Sequence, residues 1–214
     1  VLMRLAPHDA PDFLTLAAER LRREPPHPEE ALANPRGDHS LDNVPLVHPL
    51  APKPAAVLVP VVMREEPMLL LTERAAHLRQ HSGQIAFPGG RVDPTDASVL
   101  DAACREAMEE IGLDSRFISP LGYLDAYLSG TNYLVMPVVA RIPPSYTLNV
   151  NHDEVADTFE VPVSFLMDPA RHELHSREWK GRVRRYYAMP YQGRYIWGVT
   201  AGIIRNLYER LYGS

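Results

Sequence analysis

Cysteine is almost missing from this chain. A single one, Cys104, stands among 214 residues, which excludes an internal disulfide and a zinc site built from cysteine pairs. Nothing in the sequence calls for an oxidising compartment. Long apolar runs are lacking too, since none approaches the roughly 20 residues that a bilayer-crossing helix needs. Nor is there an excess of positive charge. The net charge is -5, and without a basic patch there is no footprint for nucleic acid. The densest basic stretch, 180–185, mixes its bases with Gly181 and Val183 and reads as a solvated turn and strand edge. Residues 1–4 lack the layout of a signal peptide, and 211–214 are not a peroxisomal address. The cytoplasm is the expected location.

The length suits one ample core. A hydrophobic fraction of 45% and a charged fraction of 23% are those of a soluble globular protein. Many of the 21 prolines lie early. Residues 12–23 read as a short amphipathic helix with Phe13, Leu14, Leu16, Ala17 and Leu21 as its stripe. Residues 24–54 read as an extended, irregular arm. The expected organisation is therefore a helix and proline-rich arm over 1–54, packed on a domain over 55–214. Within that domain 55–63 suits a buried strand, although Pro60 argues for an edge or a bulge. A second strand is expected over 68–72. A helix over 98–111 follows, capped by Ser98 and stopped by Gly112, with Cys104 a small buried residue at its middle. Strands over 118–126, 134–141 and 155–161, a short helix over 163–167 and a hairpin over 178–189 come next. A closing helix over 200–212 carries Ile203, Ile204, Leu207, Tyr208 and Leu211 on or near one face. This mixture without a regular βαβ rhythm predicts an α/β fold with a mixed sheet and helices on its faces.

The chemistry concentrates in the helix before Gly112. Glu106 and Glu110 are one turn apart and Glu109 neighbours Glu106, so three carboxylates converge on one side. Like charges so placed repel by roughly 0.2–0.5 kcal/mol per pair. They also sit at the carboxyl end, where the helix dipole disfavours negative charge. A hard divalent cation is the natural compensator, because Mg²⁺ takes oxygen ligands and bridges carboxylates to phosphates. Arg105 can fork onto a neighbouring carboxylate and fix its rotamer. The plain alternative is a solvated acidic face. The context weighs against it: Gly89 and Gly90 precede the helix behind Phe87 and Pro88, and Asp93 and Asp96 lie between.

That layout resembles the Nudix box, G-x5-E-x7-R-E-U-x-E-E-x-G-U with U apolar. Residues 105–113 match its second half, with Ala107 as a small U residue, and Gly90 takes the opening glycine. Asp96 falls at the glutamate position counted from Gly90 but one residue too far from Arg105, so the loop carries a one-residue insertion. The resemblance implies a Nudix-type α/β/α sandwich with a mixed β-sheet. It also implies a hydrolase that uses Mg²⁺ or Mn²⁺ to cut a pyrophosphate bond. Glu106 and Glu110 would be the principal metal ligands, with Glu109 assisting.

Upstream, residues 69–90 read LLLTERAAHLRQHSGQIAFPGG, which is similar to the signature of the coenzyme A pyrophosphatase branch. That resemblance implies coenzyme A or a derivative as substrate, with 3′,5′-ADP and 4′-phosphopantetheine as products. Arg74, Arg79 and His81 place donors ahead of the metal helix, where phosphate oxygens would lie. With Gln84, Gly89 and Gly90 they are the candidate substrate-binding residues, although Arg74 and Arg79 taken singly read equally as solvated surface residues and 81–84 also reads as a tight turn. Glu154, Glu110 and Glu109 are candidates for the base that accepts a proton from water, while Glu154 also reads as a solvated loop acid. Tyr123, Tyr127, Tyr133 and Trp197 are available to stack an adenine, while core or hairpin packing is the expected role of most. The expected partner is a small-molecule diphosphate, with a homodimer as the assembly and neither nucleic acid nor membrane. The rival readings are hydrolysis of ADP-ribose or dinucleotides, and a Nudix-fold module that binds a nucleotide without cleaving it. A scaffold using the proline-rich arm has composition alone behind it.

Overall fold

The computed structural model describes residues 10–42, 51–78, 81–179 and 181–213. Two sheets and five helices make up the fold among them. In chain order the elements are α1 (Ala10–Arg20), α2 (Pro28–Ala33), β1 (Lys53–Val62), β2 (Met68–Arg74), β3 (Ile85–Ala86), β4 (Gly89–Arg91) and α3 (Val99–Ile111). They continue as β5 (Ser119–Tyr123), β6 (Tyr127–Leu128), β7 (Tyr133–Ile142), β8 (Val155–Pro162) and α4 (Val163–Leu166). The last are β9 (Glu173–Trp179), β10 (Arg182–Tyr191), β11 (Arg194–Trp197) and α5 (Val199–Leu211).

The main sheet runs β3-β2-β1-β7-β5, with β4 on β1, β6 on β7 and β8 on β2. β1 and β7 are parallel and the remaining pairs antiparallel, so the sheet is mixed. Period-two alternation sends the apolar residues of β1 to both faces. Ala56, Leu58 and Val62 join Leu70, Val138 and the helix residues Ala102, Ala103, Ala107 and Ile111 on the α3 side. Ala55, Val59 and Val61 join Leu69, Leu71, Phe13, Ile203, Ile204 and Leu207 on the side of α1 and α5. Each fully buried leucine or isoleucine stabilises the sandwich by roughly 1.5–3 kcal/mol. The result is the expected α/β/α arrangement.

Pro60 is neither on an edge strand nor in a bulge, because β1 lies between β2 and β7. It fits there because the partner changes beside it. The β4 register ends at Val57↔Gly89 and the β2 register begins at Val61↔Leu69. The Leu58 N–H donates to the Pro88 carbonyl at 2.9 Å, and Pro60, two residues on, turns its donorless nitrogen to that same side, where the ladder is broken.

The arm is more ordered than its composition predicts. It holds α2 and a 3₁₀ turn over Asp38–Leu41, while residues 43–50 lie outside the described ones. Helix α1 stops at Arg20 because the chain turns to pair with the main sheet. The Arg22 N–H donates to the Tyr123 carbonyl at 3.1 Å, and the Tyr123 N–H returns a bond at 2.8 Å. Further on, Arg36 bridges Tyr127 in the parallel sense, its N–H donating to the Ala126 carbonyl and its carbonyl accepting from the Leu128 N–H. The buried Tyr127 hydroxyl donates to Asp38 at 2.6 Å.

The expected hairpin is longer and gains a third strand, in the order β11-β10-β9. The basic stretch 180–185 therefore belongs to a turn and to the middle strand, not to an edge, with Lys180 outside the described residues. Cys104 is half-buried rather than buried. Among the described residues no helix is long and apolar enough to cross a membrane.

Candidate active site

Helix α3 begins and ends where its sequence signals stand. The Ser98 hydroxyl oxygen accepts from the Asp101 N–H at 3.1 Å. Gly112 takes a left-handed conformation (φ 62°), and its N–H and that of Leu113 satisfy the carbonyls of Met108 and Ala107. The carbonyls of Ile111 and Glu110 accept from the N–H groups of Asn149 and Asn151, both at 2.9 Å. The last turn of α3 is thereby tied to the segment leading into β8. That segment is tied in turn to β2, because the Ala75 N–H donates to the Glu154 carbonyl at 2.9 Å.

Glu110 meets Gly89 and Glu106 lies against Gly90, and these ties bring Glu154 near enough for its charge to act on both acids. Glu110 is 4% exposed. One of its oxygens accepts from the Gly89 N–H at 3.1 Å, and the other lies 3.6 Å from an Arg74 guanidinium nitrogen. Burial pushes its carboxyl up to about 7, against the Gly89 N–H and Arg74, and the charges of Glu106 and Glu154 push the same way. Glu106 is also raised, first by burial, with Arg105 opposing and Glu109 and Glu154 adding to the rise. Two inward carboxylates held beside a third acid form an anionic concentration that the protein compensates incompletely.

Arg105 organises the outer side. It forks onto Asp96 through Nε and Nη2, both at 3.0 Å, and Nη2 also donates to the Arg91 carbonyl at 3.0 Å. Its Nη1 reaches Glu106 at 2.9 Å and Glu109 at 3.3 Å. Asp96 is nearly buried and accepts from the Asp93 N–H at 2.8 Å. The one-residue insertion in the loop thus does not keep Asp96 from Arg105. Glu109 points outward, its side chain 57% exposed.

Arg74 sits behind Glu110 with its Nε buried and lacking a hydrogen-bond partner. Such an orphaned donor suits an anionic oxygen. His81 and Gln84 meet each other instead, Nδ1 to Oε1 at 2.8 Å, in a turn that bonds back to Arg74 through Gly83 and Gln84. His81 adopts φ 58° there. Arg79 lies outside the described residues. The Gly89 N–H is engaged by Glu110, whereas Gly90 contributes by being small: a Cβ there would stand 2.6 Å from both Glu106 carboxylate oxygens. Of the aromatic candidates, Tyr127 is in the core and Trp197 lies under the Arg177 guanidinium at 4.7 Å. Asn151 and His77, whose Nε2 contacts the Asp153 carbonyl at 3.0 Å, help fix the Glu154 loop. Neither carries a local sequence signal, since their partners are set by the fold.

Among the described residues no three acids or imidazoles close into a ready-made ion cage. The donors nonetheless fit a hard divalent cation of the kind that keeps water and substrate oxygens in its shell. The set is all oxygen, and two of its members are disfavoured as anions where they stand.

The model of the NUDIX domain family matches residues 52–182. The Nudix hydrolase NudL of Enterobacter sp. (strain 638) is 46% identical over 153 residues, covering 72% of this chain and 80% of that protein. The protein of the same name from Cronobacter sakazakii is 48% identical over 153 residues, with the same two coverages of 72% and 80%. Among solved structures, the Nudix hydrolase RenU of M. smegmatis aligns with a TM-score of 0.50 at 20% identity, covering 73% of this chain and 84% of that one. That likeness concerns the fold alone.

Proposed function

This chain belongs to the Nudix family, and from that premise we propose that it hydrolyses the pyrophosphate bond of coenzyme A or a derivative. The products are 3′,5′-ADP and 4′-phosphopantetheine. The observation that carries hydrolysis is the placing of Glu106 against Gly90 and Glu110 against Gly89, with Arg74 3.6 Å from Glu110 and the charge of Glu154 acting on both acids. The support for coenzyme A is the run from Arg74 to Gly90, which resembles the signature of that branch.

Glu106 and Glu110, with Glu109 at the rim, would hold Mg²⁺ or Mn²⁺. When bound, such an ion polarises a phosphoryl oxygen and lowers the pKa of a water. The chain's own groups do the rest. Arg74, its side chain partly exposed, offers its guanidinium to a phosphate oxygen and balances the charge of Glu110. Arg105, locked by Asp96, holds the rotamer of Glu106. Glu154, whose charge acts on Glu106 and Glu110, would accept the proton of the attacking water. Water attacks phosphorus, the P–O anhydride bond breaks, and the bridging oxygen leaves with one phosphate. In solution we expect a homodimer, which light scattering on the purified protein decides.

The test is a product-resolved assay of the purified chain with coenzyme A and either metal. Cleavage of ADP-ribose or a dinucleotide with coenzyme A left intact refutes the substrate assignment. Glu106→Gln and Glu110→Gln should each abolish turnover while thermal melting stays cooperative. Full activity in both variants refutes the site, and tight nucleotide binding without turnover by the unsubstituted protein marks a binding module.

A further inference from the structure

The β9–β11 sheet has one face that the core does not use. Strand alternation and the pairing register place His175, Arg177, Arg184, Tyr186, Tyr195 and Trp197 on that face. The opposite face turns Met189 and Ile196 into the core. The exposed side is a continuous run of rings and cations. Tyr186 and Trp197 are 5.3 Å apart edge to face, and the Arg177 guanidinium lies 4.7 Å from the Trp197 centroid and 5.9 Å from that of Tyr186. The Tyr195 hydroxyl contacts His175 Nδ1 at 2.8 Å. The acid in register with this face, Glu173, is engaged by His175 Nε2 at 2.7 Å. The Asp38 carboxylate of the arm also acts on Arg177 and Arg184, so the face interleaves guanidinium groups with aromatic rings and has acids at its margin.

Its position is as telling as its composition. β11 packs on β3, and the Thr200 hydroxyl donates to the Ile85 carbonyl at 2.9 Å, four residues before Gly89. At the other end, Arg184 Nη1 lies 4.0 Å from where a Cβ on Gly130 would stand. The turn after Gly130 bonds to the start of β1 through the Lys53 N–H and the Asn132 carbonyl at 2.9 Å. That start of β1 pairs Ala56 with Gly90 and Val57 with Gly89. The small sheet therefore touches, at its two ends, β3 and the 129–132 turn, both of which join the strands that carry Gly89 and Gly90.

We propose that this face is the platform for the nucleotide half of the substrate: the adenine stacks on the Arg177–Trp197–Tyr186 cluster, and Arg177 and Arg184 take the phosphate carried by the ribose. Planar bases stack on rings and on guanidinium planes, and guanidinium forks match phosphate. The assignment rests on the proposed coenzyme A reading, because a ribose phosphate is what coenzyme A adds to a plain adenosine diphosphate ester.

The test is a fluorescence titration without metal, using adenosine 3′,5′-bisphosphate and, for comparison, adenosine 5′-monophosphate. The chain has two tryptophans, so Trp179→Phe and Trp197→Phe separate the signals. Saturable quenching is expected in the unsubstituted protein and in Trp179→Phe, and is absent in Trp197→Phe. Arg177→Gln and Arg184→Gln should weaken the bisphosphate by about tenfold and leave the monophosphate within about twofold, as loss of a charge-assisted phosphate contact requires. Quenching retained in Trp197→Phe, no quenching in the unsubstituted protein, or arginine variants that bind both ligands alike would overturn the platform. The two proposals fail separately. The titration needs neither metal nor turnover, so a protein that binds the bisphosphate but leaves coenzyme A intact refutes the hydrolysis assignment alone.

Discussion

Adding one methyl group at Gly90 separates catalytic geometry from fold more cleanly than removing a carboxylate. A Cβ there would stand 2.5 Å from Glu106 Cδ and 2.6 Å from each of its oxygens. Comfortable contact needs about 3.5 Å, so the carboxylate must retreat by roughly 1 Å. The atoms that must move are the far end of one side chain, so stability should fall by only about 1 kcal/mol. Catalysis should suffer far more, since a misplacement of about 1 Å in positioned groups costs on the order of 10²-fold in rate. Gly89→Ala is the contrasting control. Its Cβ would press on the Ala56 carbonyl oxygen and stand 2.7 Å from Val57 Cα, backbone in the central strand that cannot yield. That variant should lose its cooperative melt. The assay is steady-state turnover of the cleaved diphosphate across a metal titration, with Tm measured on the same samples. A Gly90→Ala protein that keeps its kcat within about threefold of the unsubstituted enzyme at every metal concentration would refute the idea that Glu106 must lie against this glycine.

Three further outcomes are expected. Arg105→Lys keeps the charge but loses the fork onto Asp96 and the bond to the Arg91 carbonyl, so kcat should drop by about tenfold with little change in KM; equal rates for both proteins would show that the clamp is dispensable. Asp38→Ala strands the Tyr127 hydroxyl in the core and should destabilise the chain by about 1–3 kcal/mol in urea melts, and an unchanged midpoint contradicts the role of that bond in holding the arm. Glu160 is held below its ordinary value of 4.5, first by the hydrogen bond from Arg64 and then by that from Tyr146, with burial opposing. Its stabilising contribution is complete above about 4.5 and is lost as pH falls through the lower folded value. Glu160→Gln should therefore flatten the acid side of a stability–pH curve, and an unaltered slope would count against the ion pair.

Much of helix α3 is legible in the residues themselves. Its cap at Ser98, its stop at Gly112 and the one-turn spacing of Glu106 and Glu110 are local features, and local chemistry decides them. The apolar runs in β1, β2 and β7 identify strands buried on both sides for the same reason. Pro60 misleads because its tolerance depends on which partner ends beside it, and β4 and β2 reach that point from distant parts of the chain. The arm misleads similarly: its prolines break periodicity, yet Arg22 and Arg36 find backbone partners on the main sheet about a hundred residues away.

Helical spacing alone dictates that three acids crowd one helix end and that a cation can relieve them, because charge repulsion along a helix needs no tertiary context. The folded chain decided what each acid became. Gly89 and Arg74 come from other strands to take Glu110, Asp96 captures Arg105, and Glu109 is left facing outward. The three-stranded sheet gathers its rings and guanidinium groups across registers that no single stretch of residues reveals. Such long-range partners are chosen by the packing of the whole chain, in which burial sets both the neighbours and the charge each group prefers.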